Sequence, residues 1–125
     1  MTAGGPPAPV NLKEALACVE RHWDPHVVAD LNGQEVKLAR LLGTFDWHHH
    51  AEADELFLVL EGRLRLEFRD RTVELGPGEL VVVPRGVDHR PVAERECQVL
   101  LFEPAGTRNT GNVTTDRTVL RPRRL

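Results

Sequence analysis

The feature that most constrains the fold is a succession of short β-forming segments that fills the chain from Val27 onward. Each segment has the length of one strand and is bounded by glycine, proline or charged turn residues. Short strands at this spacing predict an all-β sandwich or barrel, in which each strand buries one face. The predicted strands include 34–42, 44–50, 56–60, 63–69, 80–83, 87–93 and 98–103.

Residue alternation in the middle of the chain separates an apolar face from a charged face. Two-residue turns at 61–62 and 70–71 predict two hairpins. Residues that lie opposite each other in a hairpin share a face of the sheet. The predicted opposite pairs are Val59 with Leu64 and Phe68 with Val73. The predicted inward face consists of Phe57, Val59, Leu64, Leu66, Phe68, Val73 and Leu75.

The two ends of the chain differ from this β-rich region. Residues 1–10 are rich in glycine and proline, so we expect them to be disordered. A capping box that begins at Asn11 predicts a helix over 12–21. We expect residues 11–105 to form a single domain and 106–125 to form a tail that packs on it.

Charge and apolar run length exclude several classes of function. The 125 residues carry a net charge of -3, which argues against a nucleic-acid surface. No apolar run approaches a membrane span, and the first residues lack the pattern of a signal peptide. Cys18 and Cys97 form no paired motif, so we expect buried free thiols in a reducing compartment. These features predict a cytoplasmic protein without nucleic-acid or membrane partners.

His48, His50 and Glu55 carry the strongest chemical signal in the chain. Residues two apart on a strand face the same side, so His48 and His50 point together and His49 points away. The connection 51–54 places Glu55 across from His50, on the same inward, apolar face. A carboxylate and two imidazoles are costly to bury unless something pairs them, and a divalent cation does so. The set suits Zn, Mn, Fe, Ni, Co or Cu and does not choose among them.

Less specific interpretations of the polar residues are also open. A lone inward histidine is usually a hydrogen-bonded core residue, and a run of three histidines can be a purification tag. Tags lie at chain termini, however, and lack the glutamate that follows here. Glu52 lies in the turn and Asp54 falls on the outward face, so we expect both to be solvated. His22 and His26 lack the ligand spacing and are expected at the surface or at a helix end.

The same residues resemble the two motifs of the cupin superfamily. The motif residues are Gly43, His48, His50, Glu55 and Gly62 in the first half, and Gly78, Pro84, Gly86 and His89 in the second. The resemblance implies an RmlC-like jelly-roll β-barrel, commonly a homodimer, with a metal ion near one mouth. It also implies that His89 is the fourth ligand, which local geometry alone does not place. Two open coordination positions would then remain for water or substrate.

The chain departs from the cupin pattern at two positions. Four residues separate Gly43 from His48, where the usual motif has five, and Ala93 stands where an asparagine often closes the second motif. Neither departure removes a ligand. Residues Trp47–Phe57 and Glu103–Gly111 resemble a widespread group of small bacterial cupins. Members of that group often carry a label taken from mannose-6-phosphate isomerase, which rests on fold analogy.

Two function hypotheses follow from the resemblance. The first is a metal-dependent enzyme, such as a dioxygenase or an isomerase, and the second is a non-catalytic module that binds or senses a small molecule. The chain has no tyrosine and no cysteine near the motifs, so no catalytic residue is named. The apolar interior predicts a small, mostly apolar ligand with one or two oxygens.

A sugar-phosphate isomerase is the further alternative, and it requires a cation directed at the phosphate. Alternation turns most arginines near the motifs outward, and only Arg40 and Arg85 could supply that contact. The outward arginines are Arg63, Arg65, Arg69 and Arg90.

An apolar patch on the outer face of the barrel predicts a homodimer. The helix 12–21 could cover part of the patch and a partner subunit the rest. The alternative is that the helix and residues 106–125 cover the patch without a partner subunit. The residues expected to form the patch are Phe45, Trp47, Leu56, Leu58 and Leu60.

Overall fold

One short helix and eight strands form the fold in the computed structural model, which describes residues 7–125. The helix α1 spans Leu12–Ala17, and the Asn11 side-chain oxygen caps it by accepting a hydrogen bond from the Glu14 amide at 2.9 Å. The predicted all-β jelly-roll barrel with a short N-terminal helix is confirmed. The strands are β1 (His26–Leu31), β2 (Gln34–Thr44), β3 (Glu55–Glu61), β4 (Leu64–Phe68), β5 (Thr72–Leu75), β6 (Leu80–Val83), β7 (His89–Pro104) and β8 (Arg123–Arg124).

The longest strand, β7, is central to the barrel because it pairs with three others. It runs antiparallel to β2 along most of its length, to β4 near its beginning and to β3 near its end. From there the pairing extends from β4 to β5, from β3 to β6, and from β2 through β1 to β8. The side chains that these strands turn inward form one apolar core.

The predicted hairpin between 56–60 and 63–69 is wrong, although the predicted faces are right. β3 pairs with β6 and β7 and not with β4, because these distant strands occupy both of its edges. In the β4–β5 hairpin, Leu66 rather than Phe68 lies opposite Val73. A shift of two residues keeps every side chain on its face. All seven predicted inward residues therefore belong to the core, five of them buried and Phe68 and Val73 partly buried.

Two further strand predictions are wrong. Beyond Thr44, where β2 ends, His48 makes only an isolated bridge to His89, so 44–50 is not a strand. The segments predicted as two strands, 87–93 and 98–103, fall mostly in one strand, β7, which begins at His89. A bulge in the β2–β7 pairing accommodates the exposed residues 94–96 between them.

The helix and the chain ends also differ from prediction. Helix α1 ends at Ala17 and not at 21, because the Arg40 guanidinium donates hydrogen bonds to the carbonyls of Leu16 and Val19. Residues 1–6 of the segment expected to be disordered lie outside the described residues, and 7–10 are exposed without regular structure. Within 7–125, no helix has the length and apolar character needed to cross a membrane.

Both cysteines are free, as predicted, but their environments differ. Cys97 is fully buried in the core, whereas Cys18 is exposed, so the prediction of two buried thiols is wrong for Cys18. Its position at the C-cap of α1 leaves it at the surface.

Candidate metal centre

His48, His50, Glu55 and His89 meet in the interior of the protein. His48 and His50 lie between β2 and β3, Glu55 is the first residue of β3, and His89 is the first residue of β7. One potential ligand atom from each residue lies within 4.8 Å of the other three. All four residues are buried, and His89 is 0% exposed. The structure thus assembles a potential metal site from the four residues that the sequence and its resemblance to cupins single out.

Backbone pairing brings His89 to His48. The His48 amide donates to the His89 carbonyl at 3.1 Å, and the His89 amide donates to the His48 carbonyl at 2.8 Å. Glu55 lies opposite Val83 of β6, so the expected strand pairing of Glu55 with His50 is wrong. Strand alternation still turns the carboxylate inward, and Glu55 Oε1 lies 3.1 Å from His50 Nε2.

Backbone carbonyls orient two of the three imidazoles. His48 Nδ1 lies 2.8 Å from the Asp46 carbonyl, and His89 Nδ1 lies 2.9 Å from the Val87 carbonyl. Because a carbonyl only accepts, Nδ1 donates in both pairs and Nε2 is left with a free lone pair in the neutral ring. This is the tautomer that binds a metal through Nε2.

An unpartnered buried atom supports the metal interpretation. His89 Nε2 is buried without a hydrogen-bond partner, and its nearest carboxylate oxygen, Glu55 Oε1, is 3.4 Å away. A buried polar atom without a partner costs free energy. A divalent cation would satisfy this lone pair and the carboxylate together, and three imidazoles with one carboxylate are a suitable donor set. The residues present therefore fit a transition-metal ion.

The ionisation states of the cluster also suit a cation. Burial and the neighbouring His89 lower the pKa of His48 to about 4, so its ring is neutral at pH 7. Burial alone would raise the pKa of Glu55, but the His50 imidazole, whose Nε2 lies 3.1 Å from Glu55 Oε1, and the nearby His89 ring hold that pKa well below its usual range. Neutral imidazole and ionised carboxylate are the forms that bind metals.

The neighbouring polar residues mostly lie where alternation predicts. His49 points away from the cluster and pairs through Nδ1 with Asp88 Oδ1 at 2.8 Å. Glu52 and Asp54 are exposed, and Asp54 accepts a hydrogen bond from the Arg85 amide. The expectation of a surface position is wrong for His26, which begins β1, pairs with Leu38 in β2 and is only 4% exposed.

A small apolar cavity lies beside His48 and Glu55. Its volume is about 40 Å³, and its walls include Trp23, Leu41 and Phe45. The expectation that Phe45 faces outward is wrong, because β2 ends at Thr44 and strand alternation stops there. Phe45 is buried and stacks on Trp23, with ring centroids 4.6 Å apart. No sequence motif indicates Trp23, which lies outside the strands.

A buried ion pair adjoins the cluster and was not predicted. Lys37 Nζ lies 3.0 Å from Glu103 Oε1, and the two side chains are 1% and 2% exposed. Burial, together with the charge of nearby Glu55, raises the pKa of Glu103. Strand alternation could have placed both residues inward, because Lys37 shares a face with Ala39 and Glu103 shares a face with Leu101.

The family follows from comparison with known proteins. Residues 41–103 match the model of a family described as a cupin domain. The chain belongs to the cupin family. The resemblance found in the two sequence motifs is thereby confirmed.

Three similar proteins illustrate the range of this cupin's relatives. The uncharacterized protein YdbB of Bacillus subtilis is 42% identical over 84 residues, which cover 64% of this cupin and 74% of YdbB. A crystal structure of a cupin-2 domain protein from Shewanella frigidimarina has 41% identity and a TM-score of 0.75, over 76% of this cupin and 93% of that chain. Acireductone dioxygenase of Bacillus thuringiensis is 32% identical over 87 residues, 66% of this cupin and 51% of the enzyme. This cupin therefore spans about half the length of that enzyme.

Proposed function

We propose that this protein is a metal-dependent cupin that binds one divalent transition-metal ion through His48, His50, Glu55 and His89. The observation that carries the proposal is the buried cluster of four donors within 4.8 Å, with His89 Nε2 lacking any other partner. When bound, such an ion supplies Lewis-acid polarisation of a ligand oxygen and, if redox-active, electron transfer. The protein supplies three imidazole nitrogens, one carboxylate and a buried environment for them.

The ligand that we propose is small and mostly apolar, with one or two oxygens. The cavity of about 40 Å³ beside His48 and Glu55 has mainly apolar walls. Neither arginine considered for a phosphate contact lines this cavity. The Arg40 guanidinium donates to two carbonyls and to Glu96, and the side chain of Arg85 lies beside Asp54. These contacts argue against a sugar phosphate as substrate.

An oxygenase is the reaction class that we favour. The 32% identity to acireductone dioxygenase, over half of that enzyme, supports it. A non-catalytic binding module is the second candidate, and a specific observation favours it. Apart from His48 and Glu55, the residues that line the cavity carry no titratable side chain, so protein acid–base groups are few there.

Metal analysis of untagged protein, purified without a nickel column, tests the proposal. We expect about one transition-metal ion per chain. His48→Ala, His50→Ala and His89→Ala should each lose most of the metal, and Glu55→Gln should weaken binding. His49→Ala is the matched control and should keep the metal, because His49 pairs with Asp88 outside the cluster. Metal that survives loss of His48 but not loss of His49 would contradict the ligand set.

A turnover assay tests the ligand class. Protein carrying its natural metal should form no fructose 6-phosphate from mannose 6-phosphate above background. Clear turnover that disappears in Glu55→Gln would show that the sugar-phosphate alternative is right. Among small oxygen-bearing molecules, steady-state turnover would indicate an enzyme, and tight binding without product would indicate a sensor.

A further inference from the structure

The loop that follows β7 contacts the ligand segment 48–50 directly, although it lies beyond the region 41–103 that the cupin model matches. The Asn112 amide donates to the His49 carbonyl at 3.0 Å, and the His49 amide donates to Asn112 Oδ1 at 2.9 Å. Asn112 therefore binds both backbone polar groups of the residue that separates His48 from His50.

These two bonds complete the attachment of the ligand segment to the rest of the protein. His48 exchanges two backbone hydrogen bonds with His89, and the His50 carbonyl accepts one from the Gly86 amide at 2.8 Å. With Asn112 on His49, two distant segments hold these three residues: 86–89 bonds to His48 and His50, and the loop bonds to His49. The backbone of the ligand segment thus depends on the loop as well as on β7.

Gly111 packs against the same segment at a distance that only glycine permits. A Cβ at this position would lie 2.2 Å from the His49 carbonyl oxygen and 3.0 Å from His48 Cδ2. The φ angle of Gly111 is 57°, in the left-handed region. Any larger residue would push the His49 carbonyl, the His48 ring or the loop out of place.

A third contact reaches the residue that orients His48. The Asp46 carbonyl accepts the hydrogen bond from His48 Nδ1, and the Asp46 carboxylate accepts one from Thr115 Oγ1 at 3.1 Å. The loop therefore contacts both the backbone of His49, next to His48, and Asp46, whose carbonyl accepts the hydrogen bond from the His48 ring.

Hydrogen bonds within the loop restrict its conformation. Thr110 is 0% exposed, and its hydroxyl bonds to the Val113 carbonyl and to Thr118 Oγ1, each at 2.7 Å. The Asn109 amide group accepts a hydrogen bond from the Val119 amide and donates one to the Arg117 carbonyl. A loop braced in this way cannot easily move aside to accommodate a larger residue at 111.

We propose that Gly111 and Asn112 are positioning residues, which hold His48 in the orientation that the metal site requires. The proposal rests on the proposed function of His48 as a metal ligand. Partners that orient metal ligands typically contribute 10- to 100-fold to affinity. The sequence places Gly111 in the stretch Glu103–Gly111, but residue alternation does not connect that stretch with His48.

The metal affinities of the Gly111→Ala and Asn112→Ala variants test the proposal. They are measured by competition with a chromophoric chelator. We expect both variants to bind Co²⁺ about 10- to 100-fold more weakly, with an altered visible absorption spectrum. Asn112→Asp keeps an oxygen that accepts from the His49 amide and should restore most of the affinity. Gly106→Ala is the matched control, because Gly106 also has a left-handed φ, of 86°, but a Cβ there meets nothing within 4 Å.

Imidazole ¹⁵N–¹H spectra of the metal-free proteins separate this inference from the proposed function. The His48 ring signals should shift in Gly111→Ala and Asn112→Ala and should stay unchanged in Gly106→Ala. Unchanged His48 signals in the first two variants would overturn the inference, whatever their metal affinity. A wild-type protein that binds no metal would overturn the proposed function, while the spectra would still decide the position of His48. If Gly111→Ala does not fold, the pair Asn112→Ala and Asn112→Asp decides the question.

Discussion

The two thiols of this protein show how strongly burial controls the chemistry of a single residue. Cys97 is buried in the core, and burial raises its pKa to about 11. At pH 8, about one Cys97 in a thousand is then ionised, and the thiolate is the reactive form. Cys18 is exposed at the end of α1. We expect one thiol per chain to react quickly with a chromogenic disulfide reagent at pH 8, and the second to react slowly unless denaturant is added.

The Cys18→Ser variant is the control for this experiment. It should abolish the fast reaction without changing the slow one. Because the thiolate fraction of Cys97 rises as pH approaches 11, its slow reaction should accelerate with pH. Equal rates for both thiols at pH 8 would contradict the burial of Cys97.

The ion pair between β2 and β7 gives a prediction at the scale of secondary-structure elements. Removing one partner of a buried pair leaves a buried charge uncompensated and costs about 3–5 kcal/mol. The Lys37 and Glu103 side chains are almost fully buried. Lys37→Met should therefore lower the free energy of unfolding of the metal-free protein by about 3 kcal/mol. Urea denaturation measures this change.

Replacing both partners tests whether the loss of stability comes from an unpaired buried charge and not from disturbance of β2 and β7. The double variant Lys37→Met with Glu103→Leu should recover most of the lost stability, because apolar side chains can replace a buried ion pair. Glu35→Gln is a control, because Glu35 Oε1 lies farther from Lys37 Nζ, at 3.7 Å, and the other oxygen of Glu35 accepts from Arg124, so this change should cost less stability than Lys37→Met. A double variant no more stable than Lys37→Met would show that this account of the pair is incorrect.

The strands also show which part of the fold was predictable from sequence. The faces of Phe57 and Leu66 were predictable, because alternation has a period of two and survives a change of partner. The partner of β3 was not predictable, because the turn at 61–62 is local whereas the pairing with β6 and β7 joins distant segments. For the same reason the contact of Gly111 with the ligand segment could not be derived from residue order.

The site itself was predictable to a similar extent. The prediction that His48, His50 and Glu55 point together is right, although the strand over 44–50 on which it relied does not form, and the cupin resemblance supplied His89. Alternation failed at Phe45, because the strand that it assumes ends at Thr44. The cavity beside the cluster therefore has an aromatic wall that the sequence did not indicate.

At the scale of the whole molecule, the outer face of β3 and β6 indicates self-association. Leu80 and Val82 of β6 are 58% and 47% exposed, so neither α1 nor 106–125 covers them. They lie opposite Leu58 and Leu56 of β3 and form one apolar patch with them. We propose that a second copy of the chain covers this patch. The four paired residues are uncharged, so two copies of the patch can face each other without electrostatic repulsion. Sedimentation at micromolar concentration should show a homodimer.

Two substitutions test the patch. Val82→Lys should give a monomer, because a charge at a buried interface is costly without a partner. The matched control is a lysine on another exposed strand position outside the patch, Thr72→Lys, which should leave the dimer intact. Phe45 and Trp47 have no part in this prediction, since Phe45 is buried and the Arg69 guanidinium lies 3.9 Å from the centre of the Trp47 ring. A wild-type chain that sediments only as a monomer would rule the dimer out.

The position of His89 at the start of β7 would couple binding of the proposed metal ion to folding of the barrel. β7 pairs with three other strands, so His89 reaches the cluster only when the barrel has formed. An ion bound there by the native state alone shifts the folding equilibrium by mass action. At a free metal concentration 100 times the Kd, that shift is about 2.7 kcal/mol. On the proposed ligation, metal starvation would therefore raise the ratio of unfolded to folded protein about 100-fold.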